Sequence, residues 1–95
     1  MQIVMKSCPV CRYGMVGFRV CEDSSVLFVM CDECDSVWLD LDAIGADTAM
    51  GTSPPEFYIG DTGCSIVNSR WATREVVESF GRERLVVGVR ECDDW

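Results

Sequence analysis

Apolar residues in this chain come in strand-length runs divided by turn residues, and no run approaches the length needed to span a bilayer. Ile3 and Met5 alternate with Gln2 and Lys6, which predicts a lead-in strand within residues 1–7. Residues 15–21 and 26–30 are largely apolar and are separated by the polar turn Glu22-Asp23-Ser24-Ser25, so they predict an antiparallel hairpin. Asp35-Ser36-Val37-Trp38-Leu39-Asp40 predicts a third strand, with Trp38 as a lid over one side of the hairpin. Asp40 is placed to cap a short helix over residues 41–44 that Gly45 would end. Residues 48–55, with Gly51, Ser53 and the Pro54-Pro55 pair, read as a linker.

The second half predicts a strand over residues 56–59, a loop at Gly60-Asp61-Thr62-Gly63, and a helix with Thr73 as N-cap. Glu75 suits the first turn of that helix and Gly81 its stop. Val76, Val77 and Phe80 share its apolar face, and Trp71 is expected to pack on Val76 or Phe80. Residues 85–89 predict a β-branched strand, and the acidic tail Glu91–Trp95 is expected at the surface, with Trp95 folded back onto the domain.

The cysteines change this picture. Cys8-Pro9-Val10-Cys11 and Cys31-Asp32-Glu33-Cys34 are two Cys-x-x-Cys pairs with 19 residues between them, the signature of a four-thiolate metal site. A tight turn lets two sulfurs face one ion, and the hairpin carries the second turn over the first. Gly14 is expected to supply the positive φ that leaves the first turn. Four thiolates close a tetrahedron around Zn²⁺ and leave no position for water or substrate, so such a site is structural. Iron is the alternative ion, as in rubredoxin-like electron carriers, which usually have a longer gap between pairs and an aromatic shell that is not seen here. Cys21 and Cys64 are expected to be buried free thiols, and Cys92 lies among acids that disfavour a thiolate. A Cys64–Cys92 bridge is disfavoured by the reducing cytoplasm that a set of metal-binding thiols suits.

With its two turns and the run Cys31-Asp32-Glu33-Cys34-Asp35-Ser36-Val37-Trp38-Leu39-Asp40, the chain resembles the small bacterial zinc-ribbon proteins grouped as transcription-factor-IIB-type zinc fingers. Their second turn typically runs Cys-Pro-x-Cys-Gly-Gly-x-Trp-Leu-Asp and leads into a short helix. The resemblance covers about residues 8–44 and implies a zinc ribbon with one bound zinc. Asp32 stands at the usual Pro, and Asp35-Ser36 at the usual Gly-Gly, so this turn is more acidic than the family pattern.

Ninety-five residues suffice for one domain with a limited core, where a metal staple is physically sensible. The expected fold class is small α+β, mostly β. A zinc-ribbon lobe (1–47) is followed by a linker (48–55) and a strand–helix–strand extension packed on the ribbon (56–95). The formal net charge is −8, and its distribution is uneven. Ten acids and no Lys or Arg stand between Val20 and Ser69. That field opposes nucleic acid, whose binding needs cations to displace counterions. It suits a protein partner with a basic surface, met through an acidic docking face at Asp32, Glu33, Asp35, Asp40 and Asp42. A sharper version of this reading is an inhibitor or immunity-type protein covering the basic groove of a nuclease or other nucleic-acid enzyme. The chain has no histidine, no Gly-rich phosphate loop and no nucleophile elbow, so no catalytic residues are expected. The N-terminus lacks the order of a secretory signal, and the expected compartment is the cytoplasm.

Overall fold

The central strand, β2 (Met15–Cys21), is paired along both edges, and the rest of the chain is laid out around it. The structure is a computed structural model that describes residues 2–22, 26–51, 58–59, 62 and 64–90. β3 (Leu27–Cys31) runs antiparallel to β2 from Val16↔Cys31 to Val20↔Leu27. The other edge of β2 is shared. β1 (Gln2–Ser7) occupies it at Met15–Gly17, and β5 (Ser69–Trp71) takes over from Arg19 to Cys21. β4 (Val37–Trp38) extends the sheet beyond β3, and β6 (Gly88–Arg90) extends it beyond β1. One short helix, α1 (Arg74–Ser79), and a 3-10 turn (Glu83–Leu85) complete the described elements. Among these residues no helix is long and apolar enough to cross a membrane.

Strand alternation divides the core between the two faces of this sheet. Val16, Phe18, Val20, Leu27, Val29 and Cys31 point to one face, where they meet Ile3, Cys8, Trp38, Leu41, Ala72 and Val77. Cys21, Phe28 and Met30 point to the other, against Val37, Ile59, Cys64, Ile66 and Trp71. β3 is apolar at every position because both of its faces are covered, as expected for a strand in the middle of a layered core. Gly17 stands where β2 crosses β1, and the buried Gln2 side chain fills the space a Cβ there would need.

Several sequence expectations match these elements. Residues 15–21 form β2, and the returning strand is β3, displaced by one residue from the predicted span. Thr73 caps α1, its hydroxyl accepting from the Val76 N–H at 3.3 Å, and Gly81 leaves the helix at φ 73°. Trp38 is buried in the first core beside Cys8 and Cys31, and its indole N–H donates to the Gly45 carbonyl at 2.9 Å.

Other expectations are corrected. Residues 41–42 form a turn, and no helix spans 41–44. The Asp40 carboxylate accepts from the Asp42 N–H at 3.1 Å, and the Asp40 carbonyl accepts from the Ala43 N–H at 3.2 Å. An Asp that catches the backbone two residues on competes with helix, and four residues cannot repay helix nucleation. The strand predicted over 85–89 begins at Gly88, because Leu85 is held in a 3-10 turn and the Val86 N–H donates to the Glu83 carbonyl. Trp71 packs in the second core and not on Val76 or Phe80. Ala72, the next residue along the chain, faces the first core where Val77 of α1 sits, so alternation turns Trp71 to the opposite side.

The linker reading is met by a bridge between Met50 and Val37, which ties residue 50 to β4. Residues 52–55 lie outside the described residues, as do 56–57 of the predicted strand, Gly60, Asp61 and Gly63 of the loop, and the tail with Cys92 and Trp95. Tyr58 pairs with Ser65 in an isolated bridge.

Cys21 and Cys64 are not free thiols. They form a disulfide, with Cα atoms 6.0 Å apart. The physical reason is placement: Cys21 ends β2 facing the second core, and Cys64 lies on the segment folded over that same face. The bond's 43-residue separation implies a stabilisation of about 4 kcal/mol on chain-entropy grounds. A Cys21→Ser/Cys64→Ser variant is therefore expected to unfold at lower urea concentration than the oxidised wild type. The gap should close when the wild type is reduced, and equal midpoints under oxidising conditions would contradict the bridge.

Candidate metal centre

The two Cys turns leave the same end of the sheet, and each is built by the same local rules. Cys8 follows β1; its N–H donates to the Gly14 carbonyl at 3.0 Å, and its carbonyl accepts from the Arg12 N–H at 3.2 Å. Cys31 ends β3; its N–H donates to the Ser36 carbonyl at 2.9 Å. In each turn the first sulfur accepts from a backbone N–H two residues on, Val10 to Cys8 and Glu33 to Cys31, both at 3.4 Å. Cys31 also accepts from the Cys34 N–H at 3.5 Å.

The chain leaves each turn through a left-handed residue just after the second Cys, Arg12 at φ 63° and Asp35 at φ 59°. This corrects the expectation that Gly14 supplies the positive φ. Gly14 is needed for space instead. A Cβ there would lie 2.6 Å from Asp32 Oδ1 and 2.7 Å from Cys31 Sγ, so the second turn can close on the first only over a glycine.

Asp32 staples the second turn to β2. Its N–H donates to the Met15 carbonyl at 3.2 Å, and its carboxylate accepts from the Met15 N–H at 2.9 Å. Proline lacks the N–H for the first of these bonds.

These turns bring the four predicted sulfurs together. Cys8 and Cys34 Sγ are 3.7 Å apart, Cys11 and Cys31 Sγ 3.6 Å apart, and all four lie within 4.8 Å of one another. A tetrahedron with metal–sulfur bonds of about 2.3 Å has edges of about 3.8 Å, so the donors fit one tetrahedral ion. Cys8 and Cys31 are buried, Cys11 is half-buried and Cys34 is exposed. Burial raises the Cys31 thiol well above its ordinary range. Hydrogen bonds from the Gly14 and Tyr13 backbone lower Cys11 from 9.0 to about 7. The metal-free site is thus part thiolate and part thiol, and loading it must expel at least the proton on Cys31.

The five predicted partner-facing acids lie in different settings. Asp32 is tied to Met15, Asp35 holds the left-handed position, and Asp40 accepts from Asp42. Asp42 is shared by Arg82 and Arg84 at 3.8 and 3.9 Å, linking this loop to the C-terminal half. Glu33 is exposed at the tip of the second turn.

Two features escaped sequence reasoning. A cleft of about 400 Å³ beside the first turn is lined by Lys6, Ser7, Cys8, Pro9 and Arg12, a basic spot on an acidic chain. Tyr13 stands 90% exposed in the same turn as Arg12.

No protein-family model, curated protein or solved structure matches this chain.

Two predictions follow from this geometry. Arg12→Gly relieves a left-handed arginine and should stabilise the metal-loaded protein by about 1 kcal/mol, whereas Asp35→Gly should gain less, because Asp tolerates that conformation. Thermal melts of the two variants check the order. Metal affinity should also rise with pH. The loaded site carries thiolates while the empty site keeps a proton on Cys31, so acid favours release, by about tenfold per pH unit for each proton expelled. A competition titration between pH 6 and 8 measures this slope, and a pH-independent affinity would contradict the thiolate centre.

Proposed function

We propose that this chain is a zinc-ribbon protein whose metal is structural and whose activity is a protein–protein contact. The observation that carries the reading is the closure of the donor set. Four sulfurs at tetrahedral spacing leave no position for a reacting water, and the chain contains no histidine to activate one. The β2–β3 hairpin and the turns beside it supply the ribbon, and the resemblance to transcription-factor-IIB-type zinc fingers accords with it. Zinc is preferred over iron because thiolates at this spacing suit it and the aromatic shell of rubredoxin-like sites is missing from the sequence. With zinc bound, the ion would tie β1 to the β3–β4 turn and hold a small core that has little apolar area of its own.

The contact is assigned to the acidic side. Glu33 and Asp40 are exposed and leave the Asp32 staple and the Asp42 ion pairs intact. Such a surface steers a basic partner and speeds encounter.

Elemental analysis of protein purified without added metal should give one zinc per chain, and a strong chelator should lower its melting temperature by many degrees. Iron with visible absorption would replace this reading with electron transfer. For the contact, cross-linking mass spectrometry in native extract should recover partner peptides with wild type and lose most of them with Glu33→Lys/Asp40→Lys. Equal recovery from the variant would remove the acidic face from the proposal.

A further inference from the structure

The four ligands of the centre are unequally protected, and the inequality singles out one of them. Cys8 and Cys31 are buried and accept backbone N–H bonds at 3.4–3.5 Å. Cys11 is half-buried, with Cys31 Sγ at 3.6 Å. Cys34 is exposed, and no backbone N–H among the described residues donates to its sulfur, whose side-chain neighbours are Ser36 Oγ at 3.2 Å and Cys8 Sγ at 3.7 Å. N–H bonds to a ligating sulfur withdraw its electron density and fix its position, and burial bars reagents from it. A metal-bound thiolate lacking both is the nucleophile of its cluster.

We propose that Cys34 is the modification site of the centre: it reacts first with peroxides and soft electrophiles, and Cys8 then closes a disulfide with it. The inference rests on the metal centre proposed above. In the first step the Cys34 thiolate attacks one peroxide oxygen, the O–O bond breaks, and a sulfenic acid forms as hydroxide leaves. In the second step the Cys8 thiolate attacks that sulfur, the S–S bond forms and the S–O bond breaks, releasing a second hydroxide. Two thiolates are oxidised by two electrons in all, and hydrogen peroxide becomes two waters after taking two protons from solvent. Cys11 and Cys31 alone cannot close a tetrahedron, so the bridge opens the centre and unties β1 from the β3–β4 turn. A thiol reductant restores the four donors, which makes the change reversible. The acidic face around Glu33 sits on the turn that moves, so this chemistry would be read out as a change in partner contact.

The test uses the full-length, zinc-loaded wild type. Limiting N-ethylmaleimide followed by peptide mass spectrometry should show Cys34 alkylated faster than Cys11 by on the order of fivefold or more, with Cys8 and Cys31 slower still. One equivalent of hydrogen peroxide should release zinc to a chromogenic chelator and yield a Cys8–Cys34 cross-linked peptide, both reversed by dithiothreitol and added zinc. Ser36→Ala, which leaves all four ligands in place, should speed alkylation of Cys34 and leave Cys11 unchanged. Cys11 reacting first, equal rates at the two cysteines, or a Cys31–Cys34 bridge would overturn the assignment while leaving a zinc-bound centre standing. A purified protein without zinc, whose four thiols react at one rate regardless of added zinc, would overturn the metal centre and this inference with it.

Discussion

The antiparallel register of β2 with β3 is the constraint on which the rest of the structure depends. Val16 opposite Cys31 puts the end of β3 level with the start of β2, and Met15 opposite Ser7 does the same for β1. Both Cys turns therefore leave at one height, and the four sulfurs meet without any long loop having to be ordered. A slip of one residue would turn Cys31 to the opposite face of the sheet and break the cluster. The two-point staple between Asp32 and Met15 locks this register at the point where the turns depend on it.

Around that register the sheet carries different chemistry on its two faces. The first face joins the sulfur cluster to Trp38 and α1, so the candidate metal site and the helix share one core. The second holds the Cys21–Cys64 disulfide and the segment that includes Ile59, Ile66 and Trp71. There Arg19 is buried with its guanidinium 4.7 Å from the Trp71 ring centroid, donating to Ser69 Oγ at 2.9 Å and the Ser69 carbonyl at 2.8 Å. Burying a guanidinium is costly unless its donors are met, and the aromatic face with these acceptors offsets that cost. The disulfide cross-links the second core, and a metal at the sulfur cluster would cross-link the first, which suits a chain too short to rely on apolar burial alone.

The proposed function draws on both faces unequally. Closure of the donor set supports a structural centre, while the turns that form it also present exposed side chains, among them Tyr13, Cys34 and Glu33. In the proposed reading the contact surface is built on metal-held turns and depends on the state of their ligands, so the exposed Cys34 is its point of control.

Local chemistry is what the sequence by itself determined. The Cys-x-x-Cys spacing, the hairpin runs at 15–21 and 26–30, and the Thr73 cap with its Gly81 stop are written in neighbouring residues, because turn geometry, strand alternation and helix capping act over a few positions. Only the tertiary structure decided the rest. Nothing near Cys21 or Cys64 marks them as partners; they meet because β2 and the segment after residue 58 bury the same face. Trp71 was assigned to α1 by proximity in sequence, and one step of strand alternation placed it on the other side. Asp32 and Asp42 read as free surface acids, yet one closes on Met15 and the other on Arg82 and Arg84. In each case the deciding partner lies far along the chain, and a pattern of neighbours carries no information about which distant backbone will arrive.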